Sequence, residues 1–302
     1  MNRDYIFEHL KSYDDLLKTG VCRANIAAQV ENGQLIKIRP GIFYTGTEAL
    51  RYDDKAMAEI FSYFKIAPDT LFCHQSAALL HQMHQLYTPR HVHLYSATAH
   101  RAASGAKIHR IPQQGIANPW VYQHEMQVTS PIQTVLDCCK TLTVLEGLVI
   151  ADSAVNQKIL GFDELKNALD GYRGRGSLRV RQVADLLTVG AQSVGETATR
   201  YRLYELSYPK PALQVPVNTP AGVRYLDLAY EDHKLAIEFD GNIKYTEYGP
   251  VDSVLMNERS REKDIQNLGW YVLRVNWEDV VTYPDRFKYK LRKAWRARMS
   301  YI

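Results

Sequence analysis

Three side chains near the carboxyl end have types and spacing that could do chemistry: Asp227, Glu238 and Lys244. The acids lie on two apolar runs, residues 223–230 and 234–239, which Glu231-Asp232 separates, so the segment predicts a β-hairpin. Side chains on a strand alternate faces with a period of two. With a loop of two or four residues, Asp227 pairs with Ala236 and Tyr225 with Glu238. The acids then share one face as diagonal neighbours, roughly 7–8 Å apart. A three-residue loop puts them on opposite faces. Two carboxylates on one face can grip a divalent cation such as Mg2+ or Mn2+, at metal–oxygen distances of about 2.1 Å. The cation polarises a phosphate and acidifies a bound water. A lysine beside it can orient that water or offset charge growing on the phosphate. Hydrolysis of a phosphodiester needs such a set. The plainer alternative is a strand-end acid paired with a surface lysine. Asp240 adds an acid at the end of the apolar strand, where its desolvation is costly unless it is used.

The elements that must position these groups follow from pattern. Ser193 can cap a helix over residues 195–207, and Glu196, three residues on, completes a capping box. Pro209 and Pro211 end that helix. Strands are expected over 213–217, 223–230 and 234–239, a helix over 253–268, a strand over 271–275 and a basic helix over 285–298. The order α-β-β-β-α-β-α suits a mixed sheet flanked by helices.

The same stretch carries Ser193-x-x-Glu196-x-x-x-Arg200, Gln214, Tyr225-Leu226-Asp227-Leu228-Ala229, Ala236-Ile237-Glu238-Phe239-Asp240-Gly241-x-x-Lys244, Arg259, Arg261, Leu268-Gly269-Trp270 and Val272-x-Arg274-Val275. In this order the motifs resemble the Vsr-like branch of the PD-(D/E)XK nucleases, a small bacterial domain related to very-short-patch repair endonucleases. The resemblance implies that Glu196, Asp227 and Glu238 are acidic site residues, with Asp240 close by. Many members carry His where Lys244 stands. Lysine keeps a donor and a positive charge there.

Residues 1–50 predict helices over 4–11, 14–20 and 22–32, then strands over 35–39 and 42–44 joined by Pro40-Gly41. Three helices and a basic hairpin make the winged variant of helix-turn-helix, in which the third helix enters the major groove. Arg23, Asn25 and Gln29 would face outward and read base edges, and Lys37 and Arg39 would touch phosphate. A winged helix used only for packing is the alternative.

Residues 51–190 alternate helical and strand patterns, and Gly171 to Ser177 reads as a flexible basic linker. His74, His81, His84, His91 and His93 invite a metal reading. No carboxylate or cysteine joins them at ligand spacing, so they are expected to be structural or surface groups. The hairpin at 35–44, His74-Gln75-Ser76-Ala77-Ala78-Leu79-Leu80-His81 and Thr129-Ser130-Pro131-Ile132-Gln133-Thr134-Val135-Leu136-Asp137 are similar to the AbiEi-like antitoxin family. That resemblance implies a winged-helix DNA-binding regulator linked to phage defence or a toxin–antitoxin locus, with a cognate toxin or defence-system protein as partner.

The expected architecture is α/β and multidomain. A winged helix-turn-helix covers 1–50, a mixed α/β middle domain 51–190, and a restriction-endonuclease-like α/β domain of the PD-(D/E)XK class 191–302. Charge distribution agrees with DNA as partner. Seven Lys or Arg and no acid follow from Arg286 onward, and four arginines and no acid lie between Arg173 and Arg181. A solvated helix face explains the same runs without a ligand. The start, Met1 to Glu8, lacks the apolar stretch of a signal peptide, and no apolar run is long enough to span a bilayer. Four cysteines without paired spacing fit a reducing, cytoplasmic setting. The leading expectation is a targeted, metal-dependent DNA endonuclease. The other is a DNA-binding repressor or antitoxin whose nuclease fold is silent.

Overall fold

A computed structural model describes residues 1–96, 105–111, 120–123, 125–241 and 263–299. Among these no helix is long and apolar enough to cross a membrane. The chain divides into two compact units, Met1–Ile150 with Ile159–Ala184, and Ala151–Lys158 with Asp185–Ile302. Both mix helices and sheets.

The first unit begins with α1 (Arg3–Glu8), β1 (Leu10–Ser12), α2 (Tyr13–Lys18), α3 (Arg23–Glu31), β2 (Ile36–Arg39) and β3 (Ile42–Tyr44). β1 lies in a stretch the sequence pattern assigns to the first helix. Leu10 pairs with Tyr44, which gives an antiparallel sheet of order β1-β3-β2. Ser12 and Asp15 form a reciprocal capping box at the start of α2. Ile26 on α3 packs with Leu16, Leu35 and Phe43 in a small core of its own. Ile6, Leu10, Ile42 and Tyr44 instead join the larger core that Met57, Ile60 and Phe61 share with Phe72 and Val128. The first fifty residues therefore do not stand apart as a separate body; they share a core with the next segment of the chain.

The rest of this unit holds α4 (Tyr52–Ile66), β4 (Leu71–Phe72), α5 (His74–Leu80), β5 (Val92–Ser96), β6 (Ala106–Arg110), β7 (Trp120–Gln123), β8 (Met126–Thr129), α6 (Pro131–Thr141), α7 (Val144–Asn156), α8 (Phe162–Gly171) and α9 (Ser177–Leu186), of which the last residues of α7 and α9 count with the second unit. The five strands form one sheet, order β6-β5-β4-β8-β7, parallel at β5–β6 and β4–β8. The segment expected to be a flexible linker is a short turn between α8 and α9. Gly176 has φ +85, and a Cβ there would meet the Lys140 carbonyl oxygen at 2.7 Å. The Arg179 guanidinium also donates to that oxygen, at 2.8 Å. The turn is packed in place, not free to act as a linker.

The second unit contains α10 (Val194–Glu205), β9 (Ala212–Thr219), β10 (Gly222–Tyr230), β11 (Leu235–Asp240), helical residues 263–267 (α11), β12 (Tyr271–Asn276) and α12 (Pro284–Met299). The sheet order is β12-β11-β10-β9, antiparallel except for β11–β12. A 3-10 turn over Glu231–His233 and left-handed Lys234 (φ 44) join β10 to β11. All of Leu235, Ala236, Ile237 and Glu238 are buried, so β11 is covered on both faces.

Candidate functional site in the carboxyl-terminal sheet

The four-residue turn at 231–234 sets the register of the two acids. Tyr230 pairs with Leu235 and Leu228 with Ile237, which brings Asp227 opposite Glu238. The register differs by two residues from the expected pairing of Asp227 with Ala236. The acids share a face, as direct neighbours rather than diagonal ones. Past Leu228 the ladder gives way to a side-chain contact, and Asp227 Oδ2 accepts the Phe239 backbone N–H at 3.0 Å. On the outer side, Leu226–Val215 and Leu228–Leu213 pairing brings Gln214 opposite Asp227. On the inner side Glu238 pairs with Arg274 of β12. One row across the sheet therefore reads Gln214, Asp227, Glu238, Arg274. It lies toward the carboxyl ends of the parallel pair β11 and β12, where open α/β sheets collect ligands. Asp240 follows on the same face, and Arg274 stands 3.9 Å from Glu238 and 3.7 Å from Asp240.

Glu196 reaches this row from the first turn of α10. Ser193 Oγ accepts the Glu196 N–H at 3.1 Å, as a cap should. The Glu196 side chain does not close the expected capping box. Its Oε2 accepts from the Gln192 N–H at 2.9 Å and from Gln214 Nε2 at 3.2 Å. Gln214 has φ 49, an unusual backbone for a non-glycine residue in a strand. Burial holds the Glu196 carboxyl above the ordinary range; the Gln192 N–H opposes this, and the negative charge of Asp227 adds to it. Glu196 and Glu238 are 7% and 9% exposed, so both acids are desolvated. Glu196, buried and repelled by Asp227, fits beside a hard divalent cation, whose charge offsets part of what raises it.

Arg200, four residues along α10, is committed elsewhere. It pairs with Asp152 Oδ2 at 2.6 Å, and Thr197 and the Thr188 N–H complete the Asp152 carboxylate. Lys244, Arg259 and Arg261 lie outside the described residues.

Among the expected DNA contacts, Arg23, Asn25 and Lys37 are exposed and Gln29 is half-buried. Arg39 departs from the set. It is 9% exposed, with its guanidinium 4.5 Å above the Tyr63 ring, and so presents no charge to a phosphate. On α12, Arg292, Lys293 and Arg296 are exposed. Arg286 and Lys290 instead pair with Glu278 and Asp279, and Arg298 donates to the carbonyls of His233 and Gly269.

Sequence reasoning passed over a second cluster, in the first unit. Ligand atoms of Cys73, His74 and His109 lie within 4.8 Å of one another. The His74 and His109 rings stack at 3.7 Å, and His109 Nε2 is 3.1 Å from His93 Nδ1. Burial lowers all three imidazoles, His93 to about 3 and His109 to about 4, so they are neutral. The adjacency of Cys73 and His74 was the one local signal. His109 arrives only through β5–β6 pairing, which no spacing reveals.

The chain matches no protein-family model. It is similar to two proteins of Mycobacterium tuberculosis strains, "Uncharacterized protein Rv2248" and "Uncharacterized protein MT2308". Each is 25% identical over 281 residues, covering 92% of this chain and 99% of the relative. Among solved structures, the RV2827C protein of Mycobacterium tuberculosis has a TM-score of 0.39 at 14% identity, covering 72% of this chain and 87% of its own.

Proposed function

We propose that the chain is a metal-dependent DNA endonuclease, of the Vsr-like PD-(D/E)XK class, targeted by an amino-terminal winged helix and serving phage defence or a toxin–antitoxin-like locus. The observation that carries the reading is the row in which Asp227 and Glu238 face each other beside buried Glu196. Asp227 and Glu238 would hold Mg2+ or Mn2+, which supplies phosphate polarisation and a more acidic water. Glu196, whose proton affinity burial and then Asp227 raise, is the group suited to take a proton beside them. Asp240 draws Arg274 toward the same face, and the guanidinium can meet a phosphate oxygen. Lys244 acts on the attacking water or the scissile phosphate.

The order α1-β1-α2-α3-β2-β3 supports the winged-helix reading, with exposed Arg23 and Asn25 on α3 for base edges and Lys37 on β2 for phosphate. The surface cations of α12 suit the backbone of the same DNA. A second reading is favoured by the approach of Arg274 to Glu238 and Asp240, which neutralises acids without a metal. The chain is then a DNA-binding repressor or antitoxin with a silent nuclease fold.

Incubation of the full chain with supercoiled plasmid and Mg2+ or Mn2+ decides between them. The parent should nick or linearise the plasmid. Asp227→Asn should abolish cutting. Lys244→Ala should slow it by roughly a hundredfold or more while DNA binding persists. A parent that binds its own promoter yet cuts nothing with either metal refutes the enzyme and leaves the repressor.

A further inference from the structure

We infer that Cys73, His74 and His109 form a site for a thiophilic divalent cation, zinc above all, in the first unit and independent of the nuclease acids. The donor set is one sulfur and two imidazole nitrogens, all within 4.8 Å of one another. In a tetrahedral zinc site, metal–ligand lengths of about 2.0–2.3 Å put neighbouring donors about 3.5 Å apart. The donors already stand within 4.8 Å of one another, so closing the set takes a movement of about an ångström. Thiolate with imidazole selects zinc over Mg2+ or Ca2+, which prefer oxygen.

Three further features of the cluster point to a ligand. His74 is 2% exposed, and its Nε2 has no hydrogen-bond partner among the described residues, which is costly for a buried polar atom. Its backbone has φ 50, a left-handed conformation that histidine adopts at a cost and that clusters at functional sites. An outer partner of the kind that orients metal-bound histidines meets His109, and a carboxylate stands near His74. His93 Nδ1 meets His109 Nε2, leaving the other His109 nitrogen for the ion. Asp137 Oδ2 lies 4.0 Å from His74 Nδ1, and its Oδ1 is fixed by Lys140 at 2.5 Å and Gln133 at 2.8 Å. The stacked rings of His74 and His109 must turn to converge their lone pairs on the ion. Binding replaces the Cys73 S–H bond by an S–metal bond and releases the proton to solvent.

Cobalt(II) titrated into chelator-stripped full-length protein tests the site, because a thiolate ligand gives cobalt a near-ultraviolet charge-transfer band that carboxylates do not. The parent should develop the band to saturation at one equivalent, and zinc should bleach it. Cys73→Ser should lose the band. His109→Ala should weaken cobalt binding at least about tenfold, the scale of even an outer-partner loss. Asp227→Asn should leave the band unchanged, which separates this site from the nuclease acids. Circular dichroism checks each fold. If Cys73→Ser does not fold, half-buried His109 carries the test. No band in the parent, or an undiminished affinity in His109→Ala, overturns the site.

Discussion

Gly195 fixes how closely the start of α10 approaches the end of β11, and replacing it with alanine probes the site without touching an acid. A Cβ built at Gly195 would stand 2.1, 2.2 and 2.3 Å from three carbons of the Phe239 ring. Carbon contacts settle near about 3.5 Å, so helix and ring must part by about 1.4 Å. Two effects compete. Alanine in a helix interior gains about 1 kcal/mol over glycine, and less in a first turn. Overpacking costs about 1–3 kcal/mol. The clash wins, and Gly195→Ala should lower the melting temperature of the carboxyl-terminal unit by about 4 °C for each kcal/mol lost. Glu196 is the next residue, so the same displacement moves it off Gln214 and Asp227, and on the proposed nuclease reading plasmid cleavage should fall together with stability. Removing the ring restores the space. The double variant Gly195→Ala, Phe239→Ala should show a favourable coupling of about 0.5–3 kcal/mol against the two single variants. Thermal melts and initial cleavage rates of the four proteins are the assay. A Gly195→Ala protein that melts and cuts like the parent, or a cycle that is simply additive, refutes the close approach.

The same geometry sets three further outcomes. Asp152→Ala leaves the buried Arg200 guanidinium without its carboxylate and should cost about 3–5 kcal/mol in denaturant unfolding; a loss under about 1 kcal/mol would remove the pair from the core. Glu196 binds its proton more tightly folded than unfolded, so its contribution is present at acid pH and is lost as pH rises through its folded value. Glu196→Gln, melted in chelator, should therefore be more stable than the parent near neutrality, with the gap closing below the ordinary glutamate range, and an unchanging gap contradicts the raised carboxyl. Lys37→Ala should flatten the log–log salt dependence of DNA binding by about one unit, Arg23→Ala should cost about 1–3 kcal/mol of binding and relax base preference, and Arg39→Ala should lower stability and leave that slope alone.

Period and punctuation made most elements of this chain legible. Strands at 35–39 and 42–44, helices α4 and α6, and β9 to β12 emerge close to their sequence positions because alternation, Pro131, Gly41 and the proline pair after α10 mark them locally. What stayed hidden depends on distant partners. β1, β4, β7 and β8 are two to four residues long and exist only because a neighbouring strand takes their backbone bonds. The register of the acidic hairpin turned on Lys234 entering a left-handed conformation, which lengthens the turn and moves Asp227 by two positions relative to Glu238. Arg39 alternates like a wing cation, yet Tyr63 on α4 claims it. The Cys73–His74–His109 cluster escaped because its members belong to a helix start and a strand that meet only in the folded sheet.

The motif Ser193-x-x-Glu196-x-x-x-Arg200 shows why a sequence pattern over-counts chemistry. Glu196 and Arg200 are four apart on α10 and so lie along one side of the helix. Their side chains nevertheless serve different ends. Ser193 starts the helix by capping the Glu196 N–H, and Arg200 ties the same helix to Asp152, a carboxylate on residues 151–158 of its own unit. Between these two anchors the Glu196 carboxyl accepts from the Gln192 N–H, just before the helix, and from Gln214 on β9. A reciprocal capping box would have spent the Glu196 carboxyl on the Ser193 N–H instead of Gln192 and Gln214. The half-made cap is therefore what delivers a third acid to the row. Serine caps the helix and arginine anchors it, and of the three only the glutamate meets the acids that would hold a cation.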